Sequence, residues 1–258
     1  MLTFMKSSCR HLLITALFIY PIVLSPPQLS AQEAISSPRS FVSINVGSQL
    51  LSNTFTDNDS FELFVEDGRF SSNYQGQRDV SFDVGAGIPV WRNLSVGSAL
   101  TYINHNSPAT ISAELPHPFF FDRHRNIEGT AEALGRREIA VHIQALWTIP
   151  FSQNIFLAVF AGPTFFNLKQ ELVNTVEFTE GYPFDTADFS GVSTVHASDS
   201  TIGFHAGVDL AAYFTEHLGL GGVIRFSKGA ANLARTTEHV ISSPVGGMHA
   251  TGGLRIRF

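Results

Sequence analysis

From residue 40 onward the chain alternates apolar and polar side chains with a period of two, run after run. Successive side chains of a strand point to opposite faces, so each run predicts a β-strand with one apolar and one polar face. Val42, Ile44 and Val46 alternate with Ser43, Asn45 and Gly47. Val80, Phe82, Val84, Ala86, Ile88 and Val90 oppose Ser81, Asp83, Gly85 and Gly87. Leu94, Val96, Leu100 and Tyr102 oppose Ser95, Gly97, Ala99 and Thr101. Ile139, Val141, Ile143, Ala145, Trp147 and Ile149 oppose Glu138, Ala140, His142, Gln144 and Thr148. The next run, from Ile155 to about Leu168, is apolar on both faces. The preferred register puts Ile155, Leu157, Val159, Ala161 and Phe165 on the apolar face. The next two runs alternate again, over Ile202–Phe214 and Leu218–Ser227. In the last, Met248, Ala250, Gly252, Leu254, Ile256 and Phe258 share a face opposite His249, Thr251, Gly253, Arg255 and Arg257.

The connections have a rhythm. Long polar segments are expected at roughly 51–78, 105–136 and 170–199, with a shorter one before the last strand. They take turns with tight turns at Trp91-Arg92-Asn93, Pro150–Asn154 and Thr215-Glu216-His217, about 60 residues apart. Asp67-Gly68 lies between strand-like arms and predicts a hairpin inside the first long segment. The count is thus eight strands, or ten if that hairpin joins the sheet. Trp91, Trp147, Phe151, Phe214 and Phe258 all fall at the tight-turn end.

The N-terminus reads as a secretory signal over residues 1–31. Lys6 and Arg10 precede an apolar run from Leu12 to Leu24 that is too short to span a bilayer, and Leu29-Ser30-Ala31 offers the cleavage site. Residues 32–39 are a short lead-in, and 40–258 form one domain. The single cysteine, Cys9, lies inside the signal, so the mature chain has no disulfide, thiol nucleophile or cysteine metal site. Removing the signal takes the formal charge from −6 to −8. An acidic chain without a basic run argues against nucleic acid as a partner. Charged residues make up 15% of the chain, low against ~25% for a soluble protein.

Alternation, turn rhythm, signal and terminal Phe258 together resemble the outer-membrane protein β-barrel domain family. The chain is similar to its OmpA-type eight-stranded transmembrane domain, over residues 40–258. The resemblance implies an all-β fold, a transmembrane antiparallel up-and-down barrel with short periplasmic turns and long extracellular loops. It implies location in the outer membrane of a Gram-negative-type bacterium, as a monomer surrounded by lipid and lipopolysaccharide. It also makes Leu254, Ile256 and Phe258 the signal read by the barrel-assembly machinery. No peptidoglycan-binding domain is expected after the barrel.

The polar faces carry Asp83, Glu138, His142, His205, Asp209, Arg225, His249, Arg255 and Arg257. An eight-stranded barrel is just wide enough for side chains to fill, and unpaired buried charge is costly. The set is therefore expected to form a structural interior network of arginines against carboxylates, with a polar path for small ions as the alternative. In the second long segment, Phe119, Phe120 and Phe121 beside Arg123 and Arg125 suggest a lipopolysaccharide contact, with rings at the acyl boundary and cations on phosphates. Packing over the barrel mouth is the competing reading. His205 and Asp209 lie about 13 Å apart along one strand, too far to form a dyad. His196-Ala197-Ser198 gives only a weak hint of a lipid A-modifying enzyme. No cofactor fingerprint or metal motif is present. The expected function is a non-enzymatic barrel, structural or interacting through its loops. A narrow porin-like channel and a lipid A-modifying enzyme stand as alternatives.

Overall fold

The computed structural model describes residues 39–258, apart from 52, 53, 77, 153 and 236–238. The expected signal at 1–31 and nearly all of the lead-in lie outside the described residues. Ten strands follow in order: β1 (Phe41–Leu51), β2 (Phe55–Leu63), β3 (Glu66–Tyr74), β4 (Val80–Trp91), β5 (Leu94–Pro116), β6 (His124–Pro150), β7 (Ile155–Glu180), β8 (Ala187–Tyr213), β9 (Leu218–Ala234) and β10 (Val240–Arg257).

Every pairing among them is antiparallel. β1 pairs with β4 on one side and β10 on the other. The sheet then runs through β9, β8, β7 and β6, and β6 returns to β5. Eight strands close into a barrel, while β2 and β3 form a hairpin joined to the outer end of β5. Closure pairs every edge in the ring, the only arrangement of strands that leaves no exposed backbone.

The turn of the β2–β3 hairpin is not at Asp67-Gly68. It falls at Phe64-Val65, where Leu63 pairs with Glu66 and both turn residues take positive φ, 54° and 67°. That is the twist a two-residue hairpin demands. Gly68 instead stands opposite Phe61, and a Cβ there would lie 2.5 Å from that ring. Its lack of a side chain makes room for an aromatic on the facing strand.

The long segments expected as loops at 105–136 and 170–199 are mostly strand. β6 runs for 27 residues and β7 for 26, and β5 pairs with β6 without a break in direction from Leu94↔Trp147 to Pro116↔His124. β6 and β7 stay paired only up to Arg136↔Gln170. Beyond that level the strands fork into separate hairpins, β5–β6 with β2–β3 attached, β7–β8, and β9–β10.

Polarity inverts at the level of the fork, most plainly on β5 and β9. On β5 the outward residues Val96, Leu100 and Tyr102 give way to Asn104, Asn106, Thr110, Ser112 and Glu114. The inward residues change the opposite way, from Ser95 and Thr101 to Ile111, Ala113 and Leu115. β9 repeats this, with Ile224 and Phe226 outward followed by Lys228 and Asn232, and Arg225 and Ser227 inward followed by Ala231 and Leu233. The lower half therefore has a polar interior and an apolar exterior. The upper half, the head, has an apolar interior and a polar exterior, as in a soluble β domain.

In the lower half Ile44, Val84, Val96, Leu100, Ile143, Ile202, Leu210, Leu220, Ile224 and Leu254 are all exposed on the outer face. From Ile139 to Ile149 this belt spans ten residue steps. At ~3.3 Å per residue and ~40° tilt it is about 25 Å tall. Trp91, Trp147, Phe151, Phe214 and Phe258 are exposed at its lower rim. On β7, Val159, Ala161 and Phe165 face out while Phe160, Thr164 and Phe166 are buried, so the register is the one preferred from the sequence.

Candidate functional site

Inside the belt, polar side chains from all eight ring strands interlock. Arg225 of β9 donates to Asp83 of β4 at 2.5 Å and to the Thr101 hydroxyl of β5 at 2.9 Å. Asn45 of β1 donates to the other Asp83 oxygen at 3.0 Å, and its own amide oxygen accepts from Arg255 of β10 at 2.5 Å. Arg255 also donates to Asp209 of β8 at 2.8 Å. Thr101 meets His142 Nε2 at 3.1 Å, and Thr164 of β7 lies 2.9 Å from both His142 Nδ1 and His205 Nδ1. Arg225 further lies over the Phe160 ring at 5.5 Å. Arg255, His142 and His205 are each only 1% exposed and Asp83 2%.

Of the residues singled out in the sequence, Asp83, His142, His205, Asp209, Arg225 and Arg255 come together here. His249 is buried in the lower barrel. Glu138 is not part of the cluster. It sits at the level of the fork, where its carboxylate accepts from the Gly246 amide at 2.9 Å and from Arg136 at 3.3 Å. Among the described residues Arg257 has no carboxylate partner; it stacks on Tyr213 at 4.0 Å and donates to the Glu216 carbonyl at 2.6 Å. It seals the lower rim rather than joining the interior network. Leu254 and Phe258 face outward and Ile256 is half-buried on the same face.

Sequence reasoning missed the neutral partners Asn45, Thr101 and Thr164, because alternation reports a face and not which hydroxyls meet. It also missed three arginines that clamp the forked hairpins of the head. Arg136 reaches from β6 to Gln170 of β7 at 2.7 Å and to the Pro244 carbonyl of β10 at 2.9 Å. Arg235, just past β9, pairs with Asp57 and Asp59 of β2 and donates to the Val173 carbonyl of β7. Arg125 pairs with Glu180 and donates to the Pro116 and Phe184 carbonyls, tying the tip of β5–β6 to that of β7–β8. These cations lie in stretches expected as loops, where the pairing geometry of a sheet was not available.

The head's own core comprises Phe70, Ile111, Leu115, Ile127, Leu168, Leu172, Leu233 and Ile241, drawn from all three hairpins. Tyr74 is buried with them, stacks on Phe55 at 4.4 Å, and accepts from the Val173 amide at 2.8 Å. Burial pushes its phenol well above the ordinary 10.0.

At the outer tip, Phe119, Phe120 and Phe121 are 68, 56 and 76% exposed, with Tyr182 exposed at the β7–β8 tip and Val65 at the β2–β3 tip. Phe119 packs edge-on against Phe184 at 5.5 Å, and the Asp122 amide donates to Glu66 at 2.8 Å. The rings expected at an acyl boundary lie at this outer tip, away from the apolar belt. His124 lies fifteen residues beyond Ile139, so at ~3.3 Å per residue and ~40° tilt the tip stands roughly 40 Å above the belt. Arg125 is buried in its own ion pair, and Arg123 pairs with Asp185 at 2.8 Å. His196 is exposed with Glu171 3.4 Å away. Among the described residues no three His, Asp or Glu side chains are grouped to hold a metal ion.

No protein-family model matches the chain. No curated protein sequence matches it. Among solved structures, it is similar to Neisserial surface protein A, at 11% identity and TM-score 0.44, covering 86% of this chain and 99% of that one. It is similar to the outer membrane protein OprG from Pseudomonas aeruginosa, at 6% identity and TM-score 0.45, covering 86% and 97%. The attachment invasion locus protein Ail of Yersinia pestis matches at 10% identity and TM-score 0.37, covering 84% and 99%.

Proposed function

We propose that the chain is an integral barrel of a Gram-negative-type outer membrane that carries no catalytic site, conducts no ions, and presents a folded β head for surface contacts. The observation that carries this reading is the exposed apolar belt. A soluble barrel buries its aliphatics and wets its polar face; this one does the reverse over about 25 Å, the height of the apolar band of outer-membrane barrels. Every ring strand is paired, as a bilayer requires. The charge network inside supports a structural role for Asp83, Asp209, Arg225 and Arg255, because each charge has a buried partner. The apolar core above it caps the barrel, which argues against a channel. His205 and Asp209 bond to Thr164 and Arg255 and not to each other, which argues against a catalytic pair. Leu254, Ile256 and Phe258 are proposed as the element that assembly machinery reads.

Fractionation with gel mobility before and after boiling tests the membrane reading. Protein in outer membranes with a heat-dependent mobility shift supports it; soluble periplasmic protein without a shift contradicts it. In planar bilayers the reconstituted protein is expected to give no steady conductance, and reproducible unitary steps would overturn the closed-barrel part.

A further inference from the structure

The outward row just above the belt holds two cations side by side. Across neighbouring strands the register reads Asn104 of β5, Arg137 of β6, Lys169 of β7 and Ser198 of β8. The next outward row down is Tyr102, Ile139, Asn167 and Ser200, and the one below it Leu100, Val141, Phe165 and Ile202. Like charges directly opposite on a sheet repel. Among the described residues neither Arg137 nor Lys169 has an ion-pair partner. Such a pair is stable against an anion.

Two cavities frame it. Above, where β6 and β7 part, a polar cleft of about 560 Å³ opens between Asn104 and Asn106 on one bank and His196 and Ser198 on the other. Below, an apolar groove of about 250 Å³ runs down the outer wall between Ile139, Val141, Phe165 and Ile202. Among the described residues Glu171 is the one carboxylate in the cleft; it accepts from the Gly135 amide at 2.7 Å and lies 3.4 Å from His196. It is thus engaged one row higher and confines an anion to the Arg137–Lys169 row.

We propose that this wall binds a phosphorylated glycolipid of the lipid A type, an inference that rests on the outer-membrane reading. Its phosphate sits on Arg137 and Lys169, which neighbouring strands bring to within one strand spacing, about 4.8 Å, of each other. Asn104 and Ser198 supply further donors. Its sugar occupies the cleft, whose amides and hydroxyl suit a polyhydroxylated ring and whose volume exceeds a glycerol or ethanolamine headgroup. An acyl chain lies in the groove beneath. Phosphate, sugar and chain fall in that vertical order because polarity inverts at this level.

The test uses the mature protein in detergent micelles, incubated separately with bis-phosphorylated lipid A, dephosphorylated lipid A and phosphatidylglycerol, and read by native mass spectrometry. The wild type is expected to retain bis-phosphorylated lipid A and to lose the other two. An Arg137→Ala/Lys169→Ala double variant is expected to weaken retention by about tenfold or more, as two interfacial cations would. Unchanged retention in the double variant would overturn the site. Equal retention of phosphatidylglycerol would overturn the glycolipid assignment, and equal retention of dephosphorylated lipid A would overturn the role of the phosphate. A heat-dependent mobility shift is recorded for both proteins. A wild type lacking the shift would sink the outer-membrane reading itself, whereas a shifted protein that retains no lipid A sinks only this inference.

Discussion

At the scale of single residues, Asp83 is the anion on which the lower barrel converges. It accepts from Asn45, Thr101 and Arg225, on three different strands. Removing one partner of a buried pair leaves the other charged in a dry interior, at a cost of ~3–5 kcal/mol. Asp83→Ala is therefore expected to lower the urea midpoint of the folded barrel far more than Asp67→Ala, whose carboxylate lies on the outlying hairpin; equal effects would contradict the network. Tyr74 supplies a second test. Its folded phenol pKa is raised, so its contribution to stability is complete below pH 10 and is lost as pH climbs through the folded value. In a spectrophotometric titration, Tyr74→Phe should remove a phenol that ionises only above the usual range, and loss of a normally titrating phenol instead would contradict its burial. Much of this was legible in outline. Period-two reading put Asp83, Asp209, Arg225 and Arg255 on the polar face, but it grouped Glu138 and Arg257 with them because a face has no height.

At the scale of elements, the strands were legible where the outer face is aliphatic and were misread where it is polar. In β5 the alternation continues unbroken through Ala109, Ile111, Ala113 and Leu115, but Thr110, Ser112 and Glu114 between them resemble loop composition. The inversion itself hid the strand, since a search for apolar faces outside finds none above the fork. The tips stand well above the apolar belt, taking Phe119 to Phe121 with them. The hairpins hold together above the fork by their shared core and by Arg125, Arg136 and Arg235. Arg235→Ala leaves Asp57, buried within the β2–β3 hairpin, without its guanidinium. Faster proteolysis or amide exchange over β2–β3 is expected, with the barrel's heat-dependent mobility preserved. Loss of both together would show that head and barrel do not fold with separate stabilities. Gly68→Val should loosen the same hairpin by driving a side chain into Phe61.

At the scale of the whole molecule, the proposed barrel is one closed sheet that crosses two solvents. Below the fork it is built for lipid outside and a filled polar interior; above it, for water outside and an apolar interior. The most direct measurement of this claim uses the absence of cysteine after Cys9. Single cysteines placed outward at Val141 and Ile224 within the belt, and at Thr110, Glu128 and Lys228 above it, can each carry a spin label in a reconstituted bilayer. Collision with dissolved oxygen should dominate at the first two positions and collision with a water-soluble nickel chelate at the other three, with the change falling between Ile224 and Lys228 on the same strand. Chelate access at Val141 and Ile224 equal to that at Thr110 would mean that no lipid surrounds the belt, and the account would be wrong.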